Sequence, residues 1–331
     1  MTDKFLILGS NSFVGSNLIN ELLLKEKNVI GVSRSLEYNQ PLVAYYNNLK
    51  KTKLFNFYKI DLNKNFSELK QLLKKHKPNY IVDFAAQSMV NESWKWPEHW
   101  YQTNIVSKVK LHNYLLNSDY LEKYIRISTP EVFGNKNGKI TELSKFNPST
   151  PYAVSQAAID MSLNIFCKNF KFPVIFNRFS NFYGSFQQLY RIIPLTILSA
   201  LSLSTIPIHG KGDSTRSFIH HKDVTSGIKK SIILGQIGET YHFSTEEYIK
   251  INQLVKIICD KLSVNFDDIV KFSEDRLGKD KSYRMVSTKA KDKLNWSPRY
   301  NLDKGIDETI NWVKKNIKEL KKLPKTYIHK I

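Results

Sequence analysis

The chain has 331 residues, room for one large α/β domain with an added lobe or for two small domains. Hydrophobic residues at 41% and aromatics at 12% supply a core and exclude wholesale disorder. The formal charge of +20 is spread over scattered lysines such as Lys25, Lys50, Lys74, Lys110, Lys171 and Lys229, with its densest stretch at Lys314–Lys325 and no interleaved stacking aromatics. That is compositional bias rather than a nucleic-acid footprint, although it would attract a doubly negative small molecule. Cys167 and Cys259 alone argue against a disulfide framework or structural zinc. No apolar run is long enough to cross a bilayer and no signal pattern precedes Lys4, so no membrane association and a reducing, cytoplasmic setting are expected.

In chain order, strands are predicted at Phe5–Leu8, Val29–Ser33, Phe55–Ile60, Tyr80–Phe84, Tyr124–Ser128 and Val174–Arg178. Amphipathic helices fall between them at Val14–Lys25, Glu68–His76, Asn104–Asn117 and Tyr152–Asn169. Such alternation predicts βαβ units and a parallel sheet. Beyond Ser180 the pattern turns irregular, which suggests a smaller lobe interleaved with the last sheet elements. The expected division is a first domain over 1–179 and a mainly lobe-forming region over 180–331.

Gly9-Ser10-Asn11-Ser12-Phe13-Val14-Gly15 lies between the first strand and first helix, where a glycine turn can present backbone N–H groups and a helix N-terminus to a pyrophosphate. Ser12 stands where the fingerprint has its middle glycine. The second strand ends in Ser33-Arg34-Ser35; an acidic residue there would suit the ribose of NAD, whereas Arg34 suits the 2′-phosphate of NADP, so NADP is favoured. Asp61-Leu62 after the third strand could flank an adenine, or Asp61 could be an ordinary cap. Further on, Ser128-Thr129-Pro130-Glu131 ends the fifth strand, and Pro151-Tyr152 opens a helix on which Tyr152 and Gln156 share a face.

Together these segments resemble the extended short-chain dehydrogenases that modify nucleotide sugars, especially the NDP-hexose 4,6-dehydratases. The resemblance spans nearly the whole chain and includes Phe84-Ala85-Ala86-Gln87-Ser88, Ser180-Asn181-Phe182-Tyr183-Gly184, Arg191, Gly210-Lys211-Gly212-Asp213, Arg216-Ser217-Phe218-Ile219 and Asp275-Arg276. It implies a Rossmann-type, doubly wound α/β sheet with a smaller C-terminal substrate-binding lobe. It also implies a recycled dinucleotide held by the glycine turn, Phe84, Ala85, Ala86, Ser88, Ser128, Tyr152 and Gln156, and a nucleotide-diphosphate sugar held by Ser88, Asn181, Arg191, Arg216 and Arg276. Tyr152 would be the base on the sugar 4-hydroxyl, Thr129 its hydrogen-bonding neighbour and Glu131 the base at C5. In relatives the two long helices pair into a four-helix interface, which implies a homodimer.

Two positions depart from that pattern. The helix motif is Tyr-x-x-x-Lys, and Gln156 replaces the lysine; Pro130 replaces the aspartate that commonly protonates the departing C6 oxygen. Pro130 favours, as the nearest alternative, another C4-oxidising enzyme: a 4-epimerase, a decarboxylase or a 4-ketoreductase. Gln156 favours a catalytically weakened sugar-nucleotide binder. His220-His221 suggests a metal site, but adjacent residues in a strand would not converge on one ion, so no metal is expected.

Overall fold

The computed structural model describes residues 3–38, 41–46, 53–136, 138–275, 277–278, 280 and 282–330. Seven strands form the central sheet: β1 (Lys4–Leu8), β2 (Asn28–Ser33), β3 (Phe55–Lys59), β4 (Tyr80–Asp83), β5 (Lys123–Ser128), β6 (Val174–Phe179) and β7 (Thr240–Phe243). Their order is β3-β2-β1-β4-β5-β6-β7, with every neighbouring pair parallel. The order reverses between β1 and β4, and that switch point opens a crevice at the carboxyl ends of the strands.

Parallel strands are covered on both faces, which is why β1 reads as a nearly continuous apolar run after Lys4 and the residues of β5 and β6 are almost all buried. On one face Ile125 and Ile127 of β5 pack with α1 (Phe13–Leu23) and, across the later chain, with Val224 and Ile228. On the other, Tyr124 packs with Leu69 and Leu72 of α2 (Phe66–His76), Leu111 of a helix described below, and Leu163. Period-two alternation therefore sends Tyr124, Arg126 and Ser128 toward the same side.

The predicted helix over Asn104–Asn117 is interrupted. It runs as α3 (Pro97–Tyr101), a π-helical turn over Gln102–Val106, and α4 (Ser107–Leu115). The wide turn carries Asn104, which accepts from the Gln87 backbone N–H at 2.8 Å and donates to the Gln87 carbonyl at 3.0 Å and Ser155 Oγ at 2.9 Å. A π-turn at such a junction fits its tendency to mark functional sites. α5 (Pro151–Phe170) is capped by Thr150, whose hydroxyl accepts from Ala153 N–H, and has Pro151 in its first turn.

The later chain builds a second core around Ile193 and Ile197 of α6 (Ile192–Ala200) and Ile306, Ile310 and Val313. The short strand Asn181–Tyr183 pairs there with Phe218–His220. The chain then forms α7 (His221–Leu234), returns to the main sheet as β7, and runs through α8 (Leu302–Leu320). β7 was not among the predicted strands: Thr240-Tyr241-His242-Phe243 lies in the irregular stretch beyond Ser180, and Thr240 and His242 break its apolar run.

Candidate active site

The glycine turn is shaped by close approach. Gly9 has φ +77°, and a Cβ there would lie 2.8 Å from Ala85 N; a Cβ on Gly15 would lie 2.5 Å from the Gly9 carbonyl oxygen. Ser12 caps α1, its hydroxyl accepting from Gly15 N–H at 3.1 Å, while Phe13 and Val14 are buried in the core. Asn11 donates to the Ser35 and Leu36 carbonyls, both at 2.8 Å, tying the turn to the end of β2. Ser10 Oγ and Asn11 Oδ1 are buried with no partner among the described residues. Buried polar atoms of this kind seek a partner, and a dinucleotide's pyrophosphate and ribose match a turn of this shape.

Arg34 lies at the β2 end of the crevice beside Ser33, as the motif requires. Its Nη1 donates to the Lys330 carbonyl at 2.9 Å, and Gln87 Nε2 donates to the same oxygen at 2.7 Å. The C-terminal segment is held further by His329, whose ring stacks on Trp96 at 5.0 Å and Trp100 at 5.3 Å. Those tryptophans thus pack against the chain itself. Asp61 accepts from Asn63 N–H at 2.8 Å in a local turn, while the N-cap position of the following helix is Asn65, and Leu62 is buried in the core. Phe84, Ala85 and Ala86 are half-buried in the loop after β4, and Ser88 is exposed.

The helix and strand predictions for Tyr152 and Thr129 place both beside Glu131. Thr129 caps the short 3-10 turn Pro130–Phe133, and its hydroxyl hydrogen-bonds the Tyr152 phenol. Burial pushes that phenol up to about 12 and the Glu131 charge adds to this, while the Thr129 hydrogen bond and the charges of Arg126 and Arg191 pull the other way. The arrangement gathers a phenol, a hydroxyl and a carboxylate at one edge of the crevice.

Beneath them is a buried charge network that the sequence reading missed. Tyr152, Gln156 and Asp160 succeed one another at four-residue spacing on α5, over Arg126 and Ser128 of β5. Arg126 Nε donates to Asp160 Oδ1 at 3.0 Å, Arg178 Nη2 to Asp160 Oδ2 at 2.8 Å, Ser128 Oγ to the same oxygen at 2.5 Å, and Arg126 Nη2 to Gln156 Oε1 at 2.6 Å. Asp83 faces Arg126 across the β4–β5 ladder and is paired with Lys108; it also accepts from Tyr124 OH at 2.7 Å. Burial would raise the Asp83 carboxyl, but Lys108 and Arg126 hold it below the usual carboxylate range. The available signal was charge inside apolar strands: Arg126 between two isoleucines and Arg178 within β6.

On the far wall, Tyr283 OH donates to Asn181 Oδ1 at 3.0 Å, and the Arg216 guanidinium lies 4.6 Å over the Tyr283 ring while donating to the Asp280 carbonyl at 2.8 Å. Arg191 caps α6. Arg276 lies outside the described residues. One sequence expectation is corrected: His220 and His221 do converge, because His220 ends a strand and His221 begins α7. Their rings are 4.4 Å apart, and Glu308 Oε1 lies 3.7 and 3.9 Å from their Nε2 atoms. Lys222 Nζ sits 2.9 Å from the other Glu308 oxygen, so this cluster already carries its cation.

No helix among the described residues is long and apolar enough to cross a membrane. The profile of the family described as GDP-mannose 4,6 dehydratase matches residues 6–309. The dTDP-glucose 4,6-dehydratase of Xanthomonas campestris pv. campestris is 28% identical, over 93% of this chain and 92% of its own. The Bacillus anthracis dTDP-glucose 4,6-dehydratase, solved in complex with NAD, superposes with a TM-score of 0.85 at 29% identity, covering 96% of this chain and all of the other. The Streptomyces venezuelae dTDP-glucose 4,6-dehydratase, also solved with NAD, gives 0.87 at 25% identity over 96% and 98% of the two chains. With the parallel sheet, the glycine turn and the phenol–carboxylate pair in place, the chain belongs to the GDP-mannose 4,6 dehydratase family, within the extended short-chain, NAD-dependent epimerase/dehydratase group.

Proposed function

We propose that this chain is a nucleotide-hexose 4,6-dehydratase, and the observation that carries the reading is Glu131 held beside the Thr129–Tyr152 pair. The glycine turn, Ser128 and Gln156 would hold the nicotinamide cofactor, which when bound would supply a hydride acceptor regenerated within each cycle. Tyr152 takes the proton of the sugar 4-hydroxyl, which Thr129 orients. The ketone so formed at C4 makes the C5 proton acidic, and Glu131 removes it as the C6 hydroxyl leaves. Pro130 offers no proton, so the departing oxygen takes one from water or from another side chain. Asn181, Arg191, Arg216 and Arg276 are the candidates for the nucleotide diphosphate, where guanidinium forks suit phosphate oxygens. Turnover of a panel of nucleotide hexoses tests the reading: a 4-keto-6-deoxy product is expected from one of them, and Glu131→Gln should stop that product while leaving oxidation at C4 intact. Interconversion of C4 epimers without loss of water would favour the epimerase alternative that Pro130 suggests.

The choice between NADP and NAD rests on Arg34. Binding a 2′-phosphate would require its guanidinium to exchange the Lys330 carbonyl for phosphate oxygens, with Ser33 and Ser35 beside it. Fluorescence titration decides: NADPH bound about tenfold tighter than NADH supports the phosphate reading, and NADH bound more tightly assigns Arg34 to anchoring the C-terminal segment.

A homodimer through α4 and α5 is part of the same reading. Val106 before α4 and Val154, Met161 and Ile165 along α5 are exposed, an apolar stripe at helical spacing that a four-helix pairing would cover. A cytoplasmic setting accords with the two unpaired cysteines.

A further inference from the structure

Gln156 stands where the resembled helix motif has its lysine, yet the site is not without a buried cation. Arg126 reaches Gln156 from β5, and because a guanidinium can only donate, the contact fixes the amide: Oε1 faces Arg126 and Nε2 faces away. That Nε2 is buried and has no partner among the described residues. A polarised N–H2 group four residues along the helix from Tyr152 is therefore left without an acceptor among the described residues.

The charge count behind it is unbalanced. Lys108, Arg126 and Arg178 are buried against Asp83 and Asp160, and Asp160 is shared by both guanidinium groups. One positive charge is in excess, in a region where low dielectric lets its field reach far. We infer that Arg126 is a positioning residue which, through the Gln156 amide, gives this crevice the positive field and the hydrogen-bond donor that a lysine on α5 would have given. Arg126 and Gln156 form a linked pair: a lysine at 156 would bring its ammonium against the Arg126 guanidinium.

The inference rests on the reading of Tyr152 as the base. Other groups face that phenol: Glu131 and Thr129 from the turn after β5, Arg191 from the start of α6, and Tyr283 from the far wall. The Thr129 hydrogen bond and the charges of Arg126 and Arg191 act in the direction that favours the phenolate, and Arg126 is the buried one of the two cations. Removing Arg126 should therefore move the ascending limb of the pH profile to higher pH.

Two readouts test this, and one needs no sugar substrate. Arg126→Met should weaken NADH binding about tenfold and raise the ascending limb of kcat/KM by about one pH unit or more. Arg126→Lys should leave that limb in place, and the double variant R126M/Q156K should recover both NADH affinity and the limb. Gln156→Met leaves the buried charges intact and should weaken NADH by a similar factor, so it decides the matter if Arg126→Met does not fold. Unchanged NADH affinity in folded Arg126→Met, or in Gln156→Met, would overturn the inference. Because NADH affinity is read without turnover, that result stands apart from failure of the dehydratase reading, which would appear as no product from any hexose.

Discussion

Tyr152→Phe will lower kcat by about a hundred- to ten-thousand-fold, the range over which a positioned proton acceptor contributes. The substitution removes one oxygen from a half-buried ring and leaves the ring's packing in place, so the fold should be little changed. The loss falls on kcat because the proton leaves the 4-hydroxyl as C4 is oxidised, whereas the residues proposed for the nucleotide diphosphate, Asn181, Arg191 and Arg216, are unchanged. The pH dependence has a defined sign. Burial and Glu131 hold the phenol up at about 12, so in the wild type the rate should rise with pH across the neutral and alkaline range. Tyr152→Phe should flatten that rise. Steady-state rates from pH 6 to 10 check both points; a Phe variant that retains the wild-type slope would remove Tyr152 from the proton transfer.

Asp160→Ala should cost about 3–5 kcal/mol of stability, the range for breaking a buried ion pair by deleting one partner. Asp160 accepts from Arg126, Arg178 and Ser128, so its loss removes the carboxylate shared by two buried guanidinium groups. The penalty comes mainly from uncompensated charge rather than lost attraction. Asp160→Asn should cost less, because one amide oxygen can still accept. Urea unfolding measures the difference: a lowered midpoint with an unchanged slope is expected. An Asp160→Ala midpoint equal to that of the wild type would show that water or a rearranged partner already serves these cations.

The sheet was legible because buried parallel strands are apolar on both faces and stand out against polar helix faces. All six predicted strands lie within two residues of the observed ends. β7 escaped because Thr240 and His242 break its apolar run within the irregular later part of the chain. The π-turn at Gln102–Val106 escaped because one wide turn within a helical stretch leaves too little sequence to reveal its i→i+5 bonding. Of the candidate site, caps and prolines marked where the strand ends before Thr129 and where the helix begins at Tyr152, whereas the roles expected of Tyr152, Thr129 and Glu131 came from the family resemblance. Arg126, Arg178, Asp83 and Lys108 were passed over because their pairing is a property of the folded ladder: residues distant in sequence meet only when β4, β5 and β6 are in register. His220 and His221 were misjudged for a related reason, since a strand-to-helix junction between adjacent residues reverses the expected divergence of their side chains. Arg34 was placed correctly at the end of β2, but its partner in the C-terminal segment lies almost the whole chain away.

Hydride removed from C4 and returned to C6 within one active site separates a 4,6-dehydratase from every other C4-oxidising reaction. Supplying the preferred nucleotide hexose with deuterium at C4 measures it directly. The expected result is a 4-keto-6-deoxy product with deuterium in its C6 methyl group and no net change in cofactor. Deuterium retained at C4, or washed into free reduced cofactor, would contradict it.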